Sequence, residues 1–274
     1  YCWRKGGHGA LDMRTAIKVS CDCYFYEAAK RTGIDRIAAM ANRLGMGVEL
    51  ELDLPGQRHG LVPTREWSLS QGRAWNLGDT VNCGIGQGYI QTTPLQLATF
   101  VSRLASGRQV QPHLTRKLGS HLGPGSRLED WPPLAVPEKM LQIVREGMWA
   151  VVNEQGGTAP LAKLPDTKIQ MAGKTGSAQV RAVSRELRAR GDFDSSKLPW
   201  EYRPHALFVA FAPHDNPRYA CAVVIEHGNA GAGAAAPLAR DIMADGLHPT
   251  RKGYEIWADA LEPLLVKLLG ETKP

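Results

Sequence analysis

The chain has 274 residues, of which 43% are hydrophobic and 22% are charged. This length is enough for one large or two modest folded domains, and the composition is typical of a folded rather than a disordered chain. The 33 Lys and Arg residues outnumber the 27 Asp and Glu residues and give a net charge of +6. They are scattered and not interleaved with aromatic residues, so we predict no nucleic-acid partner.

The N-terminus carries no targeting signal that we can identify. No apolar run reaches the length of a membrane span, and residues 1–8 resemble no signal peptide. The first residue is Tyr1 rather than Met. We therefore expect a fragment that begins within a domain and has no membrane anchor of its own.

The first predicted elements are helices bounded by glycine. Residues 11–30 carry apolar side chains at helical spacing, which predicts a helical run that ends before Gly33. Residues 34–44 repeat the helical period and end before Gly45. Residues 46–85 are rich in Gly, Pro and polar residues without a sustained period, so we predict a long structured loop region there.

Two further helices have clear boundaries. Thr93 and Pro94 supply an N-cap and a first-turn proline for a helix that ends near Gly107. Pro137 opens another helix, whose apolar residues keep helical spacing until Gly156. Both helices are predicted to be amphipathic and to pack against a core.

The C-terminal half is predicted to contribute an antiparallel sheet. Apolar runs at 205–213 and 218–226 flank a turn sequence at 214–217, which predicts a hairpin. In residues 167–172, Ile169 and Met171 alternate with polar residues, which predicts a half-buried strand that continues through Lys174 and Thr175 and lies beside that hairpin. Residues 181–203 are charged and almost without periodic apolar residues, so we predict a mobile surface excursion there.

The motif that follows the 167–172 strand is Gly173-Lys174-Thr175-Gly176-Ser177. Gly173 and Gly176 have no side chain, which suits a strand that a ligand or another backbone approaches closely. Lys174 adds a cation and Thr175 adds a hydroxyl group. Together with open backbone, these groups favour a substrate that carries a carboxylate.

The five cysteines are scattered at positions 2, 21, 23, 83 and 221. They include no CxxC pair and no matching histidine spacing, so neither a zinc site nor a disulfide framework is predicted. We expect small buried hydrophobic side chains instead.

Three stretches of the chain carry a family resemblance when taken in order. Ser20-Cys21-Asp22, Gly86-Gln87-Gly88-Tyr89 and Lys174-Thr175-Gly176-Ser177 together resemble the transpeptidase domain of penicillin-binding proteins. Residues 63–67, 78–80 and 84–89 resemble in particular the elongation-type class B group, penicillin-binding protein 2. The resemblance covers about residues 1–244. Taken singly, each of these motifs has a structural explanation, such as a helix cap or a solvated lysine at a strand edge.

The resemblance implies a fold and an activity. The fold is the α/β penicillin-binding transpeptidase domain, which is β-lactamase-like, with an antiparallel sheet flanked by helices, and it is expected to be incomplete at its N-terminus. The activity is D-alanyl-D-alanine transpeptidation, which cross-links peptidoglycan through a serine acyl-enzyme. No cofactor and no metal are expected. The expected partners are peptidoglycan stem peptides, β-lactams and, in the parent protein, the glycosyltransferase of the elongation machinery, at the periplasmic face of the bacterial inner membrane.

The resemblance also implies roles for individual residues. Lys174 supplies positive charge near the nucleophile and the substrate carboxylate, and the Thr175 hydroxyl binds that carboxylate. Gly176 and Ser177 complete the substrate-binding set, and the Ser177 backbone N–H forms part of the oxyanion hole. Ser20 relays a proton to the leaving amine, and Asp22 hydrogen-bonds the catalytic lysine or the substrate amide. The position of Asp22 is often Asn in this family, and an ionised carboxylate can only accept hydrogen bonds.

The sequence departs from the family pattern at its nucleophile. In the family, the acylated serine lies in a Ser-x-x-Lys motif upstream of the Ser20 element. No Ser-x-x-Lys occurs in these 274 residues. Thr15-Ala16-Ile17-Lys18 has the spacing but is better explained as a turn of an amphipathic helix. We therefore predict that this chain is not acylated by β-lactams.

The last residues resemble a second family. Residues 245–254 are similar to the final block of GDSL, or SGNH, esterases, in which an Asp-x-x-His motif supplies the acid and the base of a serine triad. Asp245 and His248 fit that spacing and form a candidate dyad. We predict a partial transpeptidase domain over 1–244 and a foreign, inert segment over 245–274. The alternative functions are a GDSL-type ester hydrolase and a non-catalytic module that binds peptides.

Overall fold

The computed structural model describes residues 2–4, 6–52, 56–113, 117–118, 121–122, 127–165, 168–180 and 195–243. The segment 245–274, with Asp245 and His248, lies outside the described residues, and so does most of the predicted excursion, 181–194. The division into domains at residue 244 therefore stays a prediction.

Three helices open the chain: α1 (Met13–Lys18), α2 (Asp22–Thr32) and α3 (Ile34–Arg43). Gly33 alone joins α2 to α3, which confirms the predicted helix pair. The prediction of one helical run over residues 11–30 is wrong, because the chain leaves the helix between α1 and α2.

The break lies at Ser20, whose φ angle of 52° is left-handed. Ser20 N–H donates to the Ile17 carbonyl and Cys21 N–H donates to the Ala16 carbonyl, at 3.2 and 3.0 Å. This is the helix ending in which glycine usually takes the left-handed position. Because serine stands there instead, nothing in the sequence indicates a helix end.

The predicted loop region over 46–85 contains two short helices, α4 (Arg65–Ser70) and α5 (Leu77–Cys83), so that prediction is wrong for these residues. Thr64 caps α4 by accepting from the Trp67 N–H, and Asn76 caps α5 by accepting from the Asp79 N–H. Helices of six and seven residues are too short to show a sustained apolar period.

The next two helices, α6 (Pro94–Ser106) and α7 (Glu138–Asn153), confirm the predictions made for them. Thr93 and Gln96 form a reciprocal capping box at the start of α6, and Gly107 ends it with a φ angle of 68°. A last helix, α8 (Ala235–Ile242), closes the described part of the chain. A small pair of strands, β1 (Lys117–Leu118) and β2 (His121–Leu122), lies between α6 and α7.

The main sheet of the described residues is antiparallel, in the order β3-β4-β5, with β3 (Ala172–Ala178), β4 (His205–Ala212) and β5 (Tyr219–Ile225). The predicted hairpin is confirmed. The predicted strand that bears Lys174 and Thr175 is confirmed, but its predicted start is wrong, because β3 begins only at Ala172. The carbonyls of Gln170 and Met171 bond outside the sheet ladder, to the His214 N–H and the Asn153 side chain, at 2.8 Å each.

The helices cover the sheet and bury the core. Helix α7 packs on β3 and on α1, while α6 and α8 pack on β4 and β5. Gly147 in α7 permits this contact with α1, since a Cβ there would lie 2.9 Å from Ile17. Phe208 and Phe211 of β4 are fully buried. In the part of the chain described, no helix has both the length and the apolar character needed to cross a membrane.

Candidate functional site

A cleft of about 1180 Å³ opens along the outer edge of β3. Lys174, Thr175, Gly176 and Ser177 line it from the strand, and residues 84–88, after α5, line it from the loop. Ser20 and Asp22 also face the cleft. The fold therefore brings together the three motifs that the sequence singled out.

Lys174 makes the contact that joins two of these motifs. Its Nζ donates to Ser20 Oγ at 2.9 Å, to the Thr175 carbonyl at 3.1 Å and to Thr175 Oγ1 at 3.4 Å. Desolvation lowers the pKa of Lys174 to about 8, and the negative charge of Asp22 opposes that shift. The ammonium group is therefore charged at neutral pH but gives up its proton more readily than an ordinary lysine.

The left-handed turn between α1 and α2 points the Ser20 side chain into the cleft. A non-glycine residue in this conformation costs about 1 kcal/mol. The indole of Trp3 holds the turn by donating to the carbonyls of Val19 and Ser20, at 3.1 and 3.0 Å. Strain of this kind is common at functional sites, where surrounding contacts enforce it.

Helix α1, which leads into Ser20, is tied to the end of α7. The Glu154 carboxylate accepts from Lys18 Nζ at 2.9 Å and forms an ion pair with Arg14. These hydrogen bonds lower the pKa of Glu154 to about 2. Because α7 also packs on β3, Glu154 helps to place Ser20 relative to Lys174.

Asp22 lies in the first turn of α2, where the helix dipole favours a carboxylate. Burial raises the pKa of Asp22, while the hydrogen bond from the Trp3 N–H, 3.3 Å long, and the positive charge of Lys174 lower it. Asp22 therefore acts on Lys174 through its charge.

The orientation of Ser177 follows from its contact across the cleft. Gln87 Nε2 donates to the Ser177 carbonyl at 2.7 Å, so this carbonyl points away from β4 and into the cleft. In an antiparallel strand, the N–H and C=O of one residue point to the same side. The Ser177 N–H therefore faces the cleft as well. The sequence motifs alone assign Gln87 no role of its own.

Two glycines of the motif behave differently. At Gly176, a second backbone comes close, since a Cβ on Gly231 would lie 2.6 Å from the Gly176 carbonyl. At Gly173, a Cβ would lie 2.3 Å from the ring of Phe208. A Cβ on Gly176 itself would meet only Leu207 Cβ, at 3.4 Å, so the prediction of a close approach at Gly176 stays a prediction, whereas Gly173 makes room for a buried ring.

A cluster that the sequence did not predict lies near Ser20. The ligand atoms of Cys2, His8 and Cys21 all lie within 4.8 Å of one another, an arrangement that can hold a metal ion. Their spacing matches no common zinc pattern, so only the fold reveals it. The prediction of no metal stays a prediction, and this cluster weighs against it.

The other cysteines follow the sequence expectation only in part. Cys83 and Cys221 are desolvated, and burial raises the pKa of their thiols to about 11 and about 12. Both thiols therefore stay protonated at neutral pH. Cys83 is buried, as predicted, whereas Cys221 is only partly buried. Cys23, in contrast, is exposed, because it points outward from α2.

Comparison with known proteins agrees with the geometry. The family described as the penicillin binding protein transpeptidase domain matches residues 2–244. Peptidoglycan D,D-transpeptidase MrdA of Haemophilus influenzae is 36% identical over 245 residues, which cover 88% of this chain and 37% of that protein. The chain therefore spans 37% of the length of this relative.

Solved structures show the same likeness. The complex between PBP2 and MreC from Helicobacter pylori has a TM-score of 0.74 at 30% identity and covers 93% of this chain and 42% of that one. Pseudomonas aeruginosa PBP2 in complex with WCK 5153 has a TM-score of 0.72 at 35% identity, covering 91% of this chain and 51% of that one. Because the family match extends over most of the sequence, the chain belongs to the penicillin-binding protein transpeptidase family and is of the PBP2 type.

Proposed function

We propose that this chain carries the substrate groove of a peptidoglycan D,D-transpeptidase, an enzyme that cross-links the stem peptides of the cell wall by acyl transfer. The observation that carries the proposal is the 2.9 Å hydrogen bond from Lys174 Nζ to Ser20 Oγ. It joins two motifs that lie 154 residues apart in the sequence and places both at one cleft.

The first role of the groove is to bind the terminal carboxylate of a stem peptide. Lys174 supplies a cation, and Thr175 supplies a hydroxyl group that lines the cleft. Hydrogen bonds that involve a charged partner are the stronger ones in proteins. Gly176 keeps the strand edge open between Thr175 and Ser177, so a peptide can lie along it.

Ser177 contributes through its backbone. Its N–H faces the cleft on the same edge as Thr175, where it can donate to the oxygen that becomes negative in the tetrahedral intermediate. An extended peptide would add to this edge as a further strand. The peptide N–H would then share the Ser177 carbonyl with Gln87 or displace it, since a carbonyl has two lone pairs.

Ser20 is the proton relay. Its Oγ accepts a hydrogen bond from Lys174, and its own hydrogen can be passed to the leaving amine in the cleft. A lysine with a pKa of about 8 can return that proton near neutral pH. Asp22 stabilises the charged form of Lys174 from the next turn.

The 274 residues contain no Ser-x-x-Lys motif, so the serine that is acylated is not among them. We therefore expect binding of stem peptides by this chain without turnover. A fluorescent penicillin is expected to leave the purified chain unlabelled after denaturing electrophoresis. Covalent labelling would contradict this assignment.

The test of peptide binding uses an acetylated tripeptide that ends in D-alanyl-D-alanine, with its L-alanyl-L-alanine isomer as control. Calorimetry is expected to show saturable binding of the D,D peptide only. Thr175→Val is expected to weaken that binding about tenfold, because it removes one hydrogen bond to a charged group. Equal binding of both isomers would argue for a surface without transpeptidase specificity.

The catalytic part of the proposal needs the missing serine. We propose to join the chain to a segment of a PBP2 relative that supplies a Ser-x-x-Lys motif. This fusion is expected to be labelled by fluorescent penicillin, and Lys174→Ala is expected to abolish the labelling. If the Lys174→Ala fusion is still labelled, Lys174 is not required for acylation and the proposed role of Lys174 is wrong.

We also propose the setting in which the parent protein works. It lies at the periplasmic face of the bacterial inner membrane and acts beside the glycosyltransferase of the elongation machinery. The family membership of the chain supports both statements. The ester hydrolase alternative depends on Asp245 and His248 and stays a prediction.

A further inference from the structure

Thr158 lies next to Thr175, whose hydroxyl group we propose binds the substrate carboxylate. It follows α7, where Gly157 turns the chain back so tightly that a Cβ there would lie 2.3 Å from the Val151 carbonyl. The Ala159 N–H donates to that same carbonyl at 2.9 Å, and Ala159 is fully buried. This fixed turn holds Thr158 Oγ1 at 3.4 Å from Thr175 Oγ1.

The Thr175 hydroxyl has one hydrogen to donate and two lone pairs to accept with. The ammonium of Lys174, 3.4 Å from Thr175 Oγ1, can only donate and so uses one lone pair. The direction of the hydrogen bond between Thr158 and Thr175 decides whether Thr175 offers a hydrogen or a lone pair to a ligand in the cleft. If Thr175 donates to Thr158, a carboxylate in the cleft meets a lone pair and is repelled.

If Thr158 donates instead, both lone pairs of Thr175 are occupied and its hydrogen is left for the cleft. Thr175 lines the cleft, whereas Thr158 is not among the described residues that do so. The geometry therefore points to Thr158 as a positioning residue, which we infer donates to Thr175 Oγ1 and turns the Thr175 hydrogen toward a bound carboxylate. This inference rests on the proposed function, since it concerns the same substrate terminus.

The test compares the acetylated D-alanyl-D-alanine tripeptide with the same peptide ending in a carboxamide. Thr158→Val keeps the side-chain shape but removes the hydroxyl. It is expected to weaken binding of the acid about fivefold, the worth of one hydrogen bond, and to leave binding of the amide within about twofold. Thr158→Ser is expected to restore the affinity for the acid.

A matched control is Thr32→Val, which removes a hydroxyl bonded to the Ala28 carbonyl on the exposed surface of α2. It is expected to change neither affinity. Thermal unfolding of each variant, with Thr158→Ala as a second deletion, separates folding from binding.

Three results would overturn the inference in distinguishable ways. If the native chain prefers the acid and Thr158→Val keeps that preference, the role of Thr158 is wrong while the proposed function stands. If Thr158→Val weakens acid and amide equally, Thr158 is only structural. If the native chain binds neither peptide, the proposed function and the role of Thr158 both fail.

Discussion

The two walls of the cleft are held in different ways. The strand wall, β3, pairs with β4 along its whole length, so its position depends on many backbone hydrogen bonds. The turn wall, at Ser20, depends on single side chains, namely the indole of Trp3 and the carboxylate of Glu154. It also contains a left-handed serine. Single side-chain changes should therefore move Ser20 more easily than Lys174.

We expect a substitution to displace the strand wall only if it places an atom too close to the backbone of the sheet. Gly231→Ala would place a Cβ 2.2 Å from the Leu207 carbonyl and 2.6 Å from the Gly176 carbonyl. We expect it to lower the free energy of unfolding by about 3 kcal/mol, measured by urea denaturation.

The matched control for this change is Gly233→Ala in the same loop, where a Cβ would have no neighbour within 4 Å. It is expected to change stability by less than about 0.5 kcal/mol. If the two substitutions change the free energy of unfolding equally, the loop at Gly231 does not pack closely against β3.

The turn wall should respond to relief of its backbone strain. Ser20→Gly and Ser20→Ala both remove the hydroxyl group, but only glycine adopts a φ angle of 52° without strain. We expect the glycine variant to be more stable than the alanine variant by about 1 kcal/mol in urea denaturation. If the two variants have equal stability, the left-handed turn is not strained.

The smallest expected effect concerns the tie between α1 and α7. Glu154→Gln should lower stability at pH 7 by about 0.5 kcal/mol, since Glu154 and its partners are partly exposed and water screens them. The pKa of Glu154 is lowered from 4.5 to about 2, so its contribution is present above pH 4.5 and is lost as pH falls toward 2.

Urea denaturation between pH 2 and pH 7 checks this tie. The native chain should lose more stability on acidification than Glu154→Gln does. Glu27→Gln, which removes an exposed ion pair with Arg31, is the control and should keep the acid dependence due to Glu154. Identical pH profiles of the native chain and Glu154→Gln would show that Glu154 does not hold α1.

The difference between local and tertiary causes of conformation also explains which helix ends the sequence could predict. The helix ends at Gly33 and Gly107 were predicted correctly, because glycine readily adopts the positive φ angles found there. The ending at Ser20 was missed because serine adopts the conformation only when tertiary contacts enforce it. The helices α4 and α5 were missed because they are short.

Only some residues of the candidate site could be predicted from the sequence. Lys174, Thr175 and Ser177 were predicted because they form one contiguous motif on one strand. Thr158 and the cluster of Cys2, His8 and Cys21 were not predicted, because their members are separated in the sequence and meet only in the fold. Ser20 and Asp22 also lie far from Lys174 in the sequence, and they were predicted only because the family resemblance joins their motifs to it. No resemblance joined Thr158 or the cysteine and histidine cluster to the site.

The most direct test of the cleft is the pKa of Lys174, because its ammonium group is desolvated where it donates to Ser20 on the opposite wall. We expect an NMR titration of its side-chain Cε resonance, assigned with Lys174→Arg, to give a midpoint near 8. Asp22→Asn should lower that midpoint further, because it removes the negative charge that stabilises the ammonium. A midpoint near 10.5, unchanged in Asp22→Asn, would show that Lys174 is solvated and that the two walls do not meet.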